Sequence, residues 1–273
     1  TFVKEILFVV TDFTGWEYTT TINFPGYTQP STLTDFPVYL EFNSSLSGFS
    51  YDQFASPYGY DLRFLGTNGS KELFYEPVMW NKEGTSGFWV LLSSFDEYTT
   101  IQAIWGNPNA IQEPSYCKNG SVWSKYNAVW HMDGTGLNTI KESRVSAHAT
   151  PYNFESLRVP GVVGTALSFD GINDYVDLPL SIHPQADTRQ FTISFWSYGG
   201  STLSSAKNTS LLESGSAEGR SLNIHFPYNS LLHWEAGGKN SYDNINKEFS
   251  GYKGQWDYWT FQKDIDSGAM YAY

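Results

Sequence analysis

The sequence predicts an all-β protein built as two antiparallel β-sandwiches, on three observations. Aromatic residues make up 18% of the 273 residues and charged residues only 16%, a balance that suits short, half-buried strands better than long salt-bridged helices. Apolar and polar side chains alternate with period two in one segment after another. Those segments are brief and are bounded by Gly, Asn, Asp and Pro at the spacing of turns.

Residues 17–24 alternate cleanly, with Tyr18, Thr20, Ile22 and Phe24 on one face. Phe36, Val38, Leu40 and Phe42 repeat the pattern, and Pro37, which donates no ladder hydrogen bond, places that strand at a sheet edge or its first residues outside the ladder. Further strands are read at 61–65, 73–80, 88–93 and 99–105. From 106 to 125 the composition turns to Asn, Pro, Gln, Lys and Ser, which sets the boundary between units. The second unit opens at Ala128–His131, forms a hairpin from 166–169 and 175–178 around Asp170 and Gly171, and continues through strands at 191–196, 222–226, 231–235, 258–261 and 269–273. The expected division is an N-terminal arm or linker at 1–11, a sandwich at 12–113, a linker at 114–125 and a second sandwich at 126–273. Residues 1–10 are β-prone and read as a first strand, a linker or an arm that pairs with a neighbour.

Charge and composition exclude several classes. A net charge of −12 supplies no clustered Lys and Arg for a phosphate backbone, so nucleic acid is not an expected partner. The longest apolar run, Ile6 to Val10, is far short of a bilayer span, so no transmembrane segment is expected. Cys117 is the single cysteine, which rules out an internal disulfide. Asn43, Asn68, Asn119 and Asn208 begin N-glycosylation sequons.

Residues 161–176, with Gly161, Gly164, Ala166, Leu167, Phe169, Asp170, Gly171, Asp174, Tyr175 and Val176 at the telling positions, resemble the signature of LamG-type (laminin G-like), concanavalin A-like domains. Residues 191–196, 220–227 and 256–261 resemble later strands of that family, so the likeness spans 126–273 and implies a jelly-roll sandwich. Pieces at 15–16, 33–38, 60–64, 88–90 and 104–107 resemble an uncharacterised bacterial-type β-sandwich family often found fused to LamG domains. A LamG domain continues past its 256–261 strand with a hairpin and closing strands. The second sandwich is therefore expected to be incomplete within this chain, its edges open to further sequence or to a neighbour.

The resemblance implies an extracellular, secreted or cell-surface module that binds a glycan or protein ligand without catalysis. Two other readings stay open: a structural subunit of an appendage, filament or virion that self-associates through sheet edges, and a glycoside hydrolase of concanavalin A-like fold. The last needs two carboxyl groups on one strand face in a Glu-x-Asp-x-x-Glu pattern; Glu213, Glu218 and Glu235 do not form it. No HExxH or G-x-S-x-G motif is present either.

Ligand-binding candidates are Trp196, Asn223, His225, Trp234, Asn240 and Tyr242, with Tyr198, Trp256, Trp259, His233 and Asp243 beside them. Their rings offer flat faces to sugars and their polar groups offer directed hydrogen bonds, although most rings in such a sandwich are core. Asp170, Asn173 and Asp174, with Asp177 close by, are candidate ligands for Ca²⁺, the ion such domains often hold at the sheet rim. The same residues are what a hairpin turn requires, and the turn is the favoured reading.

Overall fold

The structure is a computed structural model and describes residues 13–69, 71–133, 138–155, 158–183, 189–199, 210–216, 219–228, 231–238, 241–248 and 254–273. The chain divides into two units, 1–179 and 180–273. Strands account for nearly all its regular structure, and among the described residues there is no α-helix. The β-prone stretch 1–10 lies outside the described residues.

In the first unit the strands are β1 (Tyr18–Asn23), β2 (Leu33–Phe42), β3 (Arg63–Leu65), β4 (Glu72–Leu73), β5 (Tyr75–Met79), β6 (Ser86–Phe95), β7 (Thr100–Trp105), β8 (Thr150–Tyr152), β9 (Val159–Pro160), β10 (Thr165–Ala166) and β11 (Tyr175–Asp177). Two sheets, β1-β7-β3-β4 and β2-β6-β5, carry the main core. Val38 and Phe42 meet Phe64, Tyr75, Phe88, Val90, Leu92, Ile101, Ala103 and Trp105 there, all buried. β2 is an edge strand, the place where Pro37 is tolerated. The run 73–80, read as one strand, is two: Leu73 pairs with Phe64 in one sheet and Tyr75 with Val90 in the other, so the chain changes sheets at Phe74. Buried Asp61 secures one end of this core by accepting N–H bonds from Ala55, Ser56 and Gly106 at 2.8, 2.9 and 3.0 Å. Gly106 has φ +85° and approaches Tyr18 and the Gln53 carbonyl so closely that a Cβ would collide, which fixes glycine after Trp105.

The stretch 114–125, expected as a linker, is partly buried. Cys117, Val122 and Trp123 are buried, and Tyr116 packs on Tyr75. Ala128–His131, expected to open the second sandwich as a strand, is irregular and belongs to the first unit. The reason lies in β6, whose Phe88, Val90 and Leu92 face the core and leave Trp89 on the opposite face. That apolar ring needs a second cover, and the segment from Pro114 onward supplies it: Trp123 packs against Trp89 at 5.3 Å and His131 stacks over it.

Glu76, opposite Trp89 on β5, clasps this strap. Its Oε1 lies 2.7 Å from His131 Nε2 and accepts the Ser143 hydroxyl at 3.1 Å, while Oε2 accepts the Trp123 indole N–H at 3.0 Å. A second carboxylate shapes the strap itself. Glu142, 5% exposed, accepts N–H bonds from Val129, Arg144, Val145 and Ala147.

The expected hairpin around Asp170 and Gly171 does not form. Its first arm pairs with β9, Ala166 opposite Val159, and its second with β8, Tyr175 opposite Tyr152. The LamG-like stretch is divided accordingly, with 126–179 in the first unit.

The second unit contains β12 (Gln190–Tyr198), β13 (Ser210–Ser216), β14 (Gly219–Tyr228), β15 (Leu231–Gly238), β16 (Ser241–Glu248), β17 (Trp256–Asp264) and β18 (Ala269–Ala272). They form antiparallel sheets β12-β17-β18 and β13-β14-β15-β16. Leu222, Ile224 and Phe226, with Leu232, Trp234, Ala236 and Phe261, make the core between them. Lys263, 8% exposed, ties one sheet to the other by donating to the Ala236 carbonyl at 2.8 Å and pairing with Asp243 at 2.7 Å.

Two outcomes test the strap. Glu76→Ala removes the acceptor of three groups and should cost about 2–4 kcal/mol in urea unfolding, with a red-shifted tryptophan emission as Trp89 and Trp123 meet water; an unchanged midpoint would refute the clasp. For Glu142, burial works against the charge, but the four N–H donors outweigh it and hold the carboxyl below its ordinary 4.5. A depressed folded value means the stabilisation is complete above that ordinary value and is lost as pH falls through the folded one. Exchange of the Val129, Arg144, Val145 and Ala147 amides, corrected for intrinsic rates, should therefore accelerate on acidification; in Glu142→Gln it should be fast already at neutral pH.

Candidate functional site

The outer face of β12-β17-β18 is where the second unit differs most from an ordinary sandwich. Phe191, Ile193 and Phe195 point inward, so the even positions of β12 point out, and the register carries the same parity across β17 and β18. Tyr198 stands opposite Trp256, Trp196 opposite Tyr258, Thr260 beside Tyr273 and Gln262 beside Tyr271. Trp196 is 47% exposed, Tyr258 53% and Tyr273 67%.

Neighbouring rings touch in pairs. Trp196 and Tyr258 lie 5.1 Å apart and tilted, Tyr198 and Trp256 5.6 Å, and Tyr271 and Tyr273 stack at 5.9 Å. The Tyr258 hydroxyl donates to Ser194 at 2.9 Å, which fixes that ring. Between the rings stand Thr192, Ser194, Thr260 and Gln262. The one charged side chain in these rows is Asp264, at the far margin opposite Gln190, where its carboxylate accepts the N–H groups of Asp266 and Ser267.

The binding residues expected from sequence do not converge. Trp196 belongs to the face just described. Trp234 is core, fully buried on β15, and is corrected accordingly; its indole N–H finds no partner among the described residues. Asn223 and His225 lie on the opposite side of β14 from Leu222 and Ile224, as the alternation requires, but they are 0% and 6% exposed and present no open surface. Asn223 donates to Glu235 at 3.2 Å, and His225 meets His233 ring to ring. Asp243 is the partner of Lys263. Asn240 and the Tyr242 side chain lie outside what the structure describes.

Sequence reasoning missed Tyr258, Tyr271 and Tyr273. Counting outward from Phe261 in steps of odd and even would have found Tyr258. It also missed a register relation: Glu213 and Glu235 flank Asn223 from the two neighbouring strands, with backbones two strand spacings, about 10 Å, apart. A search along one strand does not see such a pair.

The loop proposed for Ca²⁺ bonds to itself. Asp170 Oδ1 accepts the N–H groups of Ile172 at 2.7 Å and Asn173 at 3.2 Å, which holds its carboxyl below the usual range, and Asp174 accepts the Asp170 N–H. Asn153 donates to the Asn173 carbonyl. These are the bonds of an Asx turn, and Asp177 is in β11. Among the described residues no three or more His, Cys, Asp and Glu side chains group to hold a metal ion. Nor is any described helix long and apolar enough to cross a membrane.

Comparison with known proteins gives no match to a protein-family model, to a curated protein or to a solved structure.

Cys117 is the remaining group with latent reactivity. Burial among Tyr75, Tyr116 and their neighbours pushes its thiol up to about 12, far from the thiolate that reacts or forms disulfides at neutral pH. Ellman's reagent should therefore leave the native chain unmodified and titrate one thiol in guanidinium; rapid native reaction would overturn this placement.

Proposed function

We propose that this chain is a recognition module of a secreted or cell-surface protein, meeting its ligand on the outer face of β12, β17 and β18 and acting without catalysis. The supporting observation is the set of six aromatic residues on that face, three of them more than half exposed and arranged with the others in adjoining rows. Scattered exposed rings are ordinary, whereas a contiguous patch marks a surface that meets something. Rings of this type bind the C–H faces of sugars and the apolar side chains of proteins alike. The face carries one carboxylate, already bonded within a turn, where glycoside hydrolysis needs two.

A structural role is the second reading, and open edges favour it. Among the described residues β12 and β18 each hydrogen-bond a single neighbour within their sheet, and edges of this kind invite a strand from another chain.

A glycan array probed with the purified chain, with and without chelator, separates the readings when paired with sedimentation velocity over a concentration series. Recognition predicts array signals that fall by about tenfold or more in Trp196→Ala/Tyr258→Ala while the far-ultraviolet circular dichroism is unchanged. A silent array together with concentration-dependent assembly would transfer the chain to the structural reading.

A further inference from the structure

The geometry points to a neutral, unbranched polysaccharide, laid extended and obliquely across the three strands, as the ligand of the aromatic face. This inference rests on the recognition reading above and narrows it to one ligand class.

The first support is the layout of the rings. Tyr198 and Trp256 form one row, Trp196 and Tyr258 the next, then Tyr273 beside Thr260 and Tyr271 beside Gln262. The rings thus step from the edge strand β12 to the edge strand β18. From Tyr198 to Tyr271 the strip covers about 20 Å along the strands and about 10 Å across them. A terminal sugar is held by polar groups converging in a pocket. Rings spaced along a strip offer instead successive stacking positions to successive residues of one chain.

The second support is charge. Apart from Asp264 at the margin, every residue in these rows is uncharged, and no Lys or Arg stands in them. Among the described residues, two neighbouring cations are committed elsewhere: Arg189 pairs with Asp266, and Lys263 points inward to Asp243 and the Ala236 carbonyl. Rows without a Lys or Arg offer nothing to uronic acid, sulfate or sialic acid groups. Between the rings lie the hydroxyls of Thr192, Ser194 and Thr260 and the amide of Gln262, short neutral groups matched to sugar hydroxyls.

Affinity electrophoresis in native gels containing hydroxyethylcellulose, xylan or glucomannan, against gels containing polygalacturonate or heparin, tests the class. Calorimetry with the matching neutral oligosaccharides, from disaccharide to hexasaccharide, tests the extended mode. Retardation by at least one neutral polymer, with affinity rising along the length series, is the expected result. Trp196→Ala and Tyr271→Ala, near opposite ends of the strip, should each weaken binding by about tenfold. Tyr98→Ala, at an exposed tyrosine of the first unit, should not change it.

Thermal melts of each variant keep loss of binding apart from loss of fold. Retardation by anionic polymers alone, or an affinity that does not rise from the disaccharide to the hexasaccharide, would overturn this inference and leave recognition standing. Failure of every polymer, together with assembly that depends on Trp196 and Tyr271, would remove the recognition reading as well.

Discussion

A sandwich core covers one face of each sheet, and whatever stands on the other face must be polar or find a second cover. Both units place large aromatic rings on an outer face, and they resolve the conflict differently. In the first, Trp89 on β6 is roofed by the strap that follows β7, with Trp123 and His131 laid against it. In the second, Trp196, Tyr198, Tyr258, Tyr271 and Tyr273 remain open on the outer face of β12-β17-β18. The contrast gives the open face its interest, because this chain has the means to cover such a surface and does so in its other half.

Covering an outer face with irregular chain is costly unless the backbone groups of that chain are satisfied. The strap meets this demand with carboxylates in place of a third sheet. Glu142 gathers four N–H groups, and Glu76 reaches from β5 to take the indole, the hydroxyl and the imidazole that the strap presents. Asp61 does the same for the turn at 55–56 and for Gly106. Asp61, Glu76 and Glu142 are thus interior fasteners. Carboxylates committed in this way are no guide to a partner, whereas the local charge of the aromatic rows is.

Period-two alternation was enough to locate most strands, because it is the direct image of a sheet with one buried face. Leu33–Phe42, Thr100–Trp105, Gln190–Tyr198 and Trp256–Asp264 all lie over alternating segments. It failed where burial did not follow that rule. Ser241–Glu248 places Asp243, Ile245 and Lys247 on its inner side, and with one apolar residue there it leaves no pattern to read. Residues 114–125 bury Cys117, Val122 and Trp123 without forming a strand, so their Pro, Asn, Lys and Ser content reads as a linker although those three side chains are core. The turn at Asp170 and Gly171 was recognisable as a turn, but which strands its arms join is decided by β8 and β9, earlier in the chain and too short to announce themselves.

The candidate site was legible only in part for a related reason. Sequence shows which side chains share a strand face but not which of two faces is the inner one for a strand whose residues are apolar on one side and aromatic or amide on the other. On β14 both sides are buried, so Asn223 and His225, correctly placed opposite Leu222 and Ile224, still fail as an open surface. On β15 the choice fell the other way, and Trp234 became core. On β12 the inner set is Phe191, Ile193 and Phe195, aromatic or β-branched and large enough to fill the sandwich, which leaves Trp196 and Tyr198 outside with no core role to fill. Once that parity is fixed for one strand, antiparallel register carries it to β17 and β18 without further choice. Tyr258, Tyr271 and Tyr273 then join the same face by geometry alone, and a single Trp-and-Tyr pair becomes a strip long enough to meet an extended ligand.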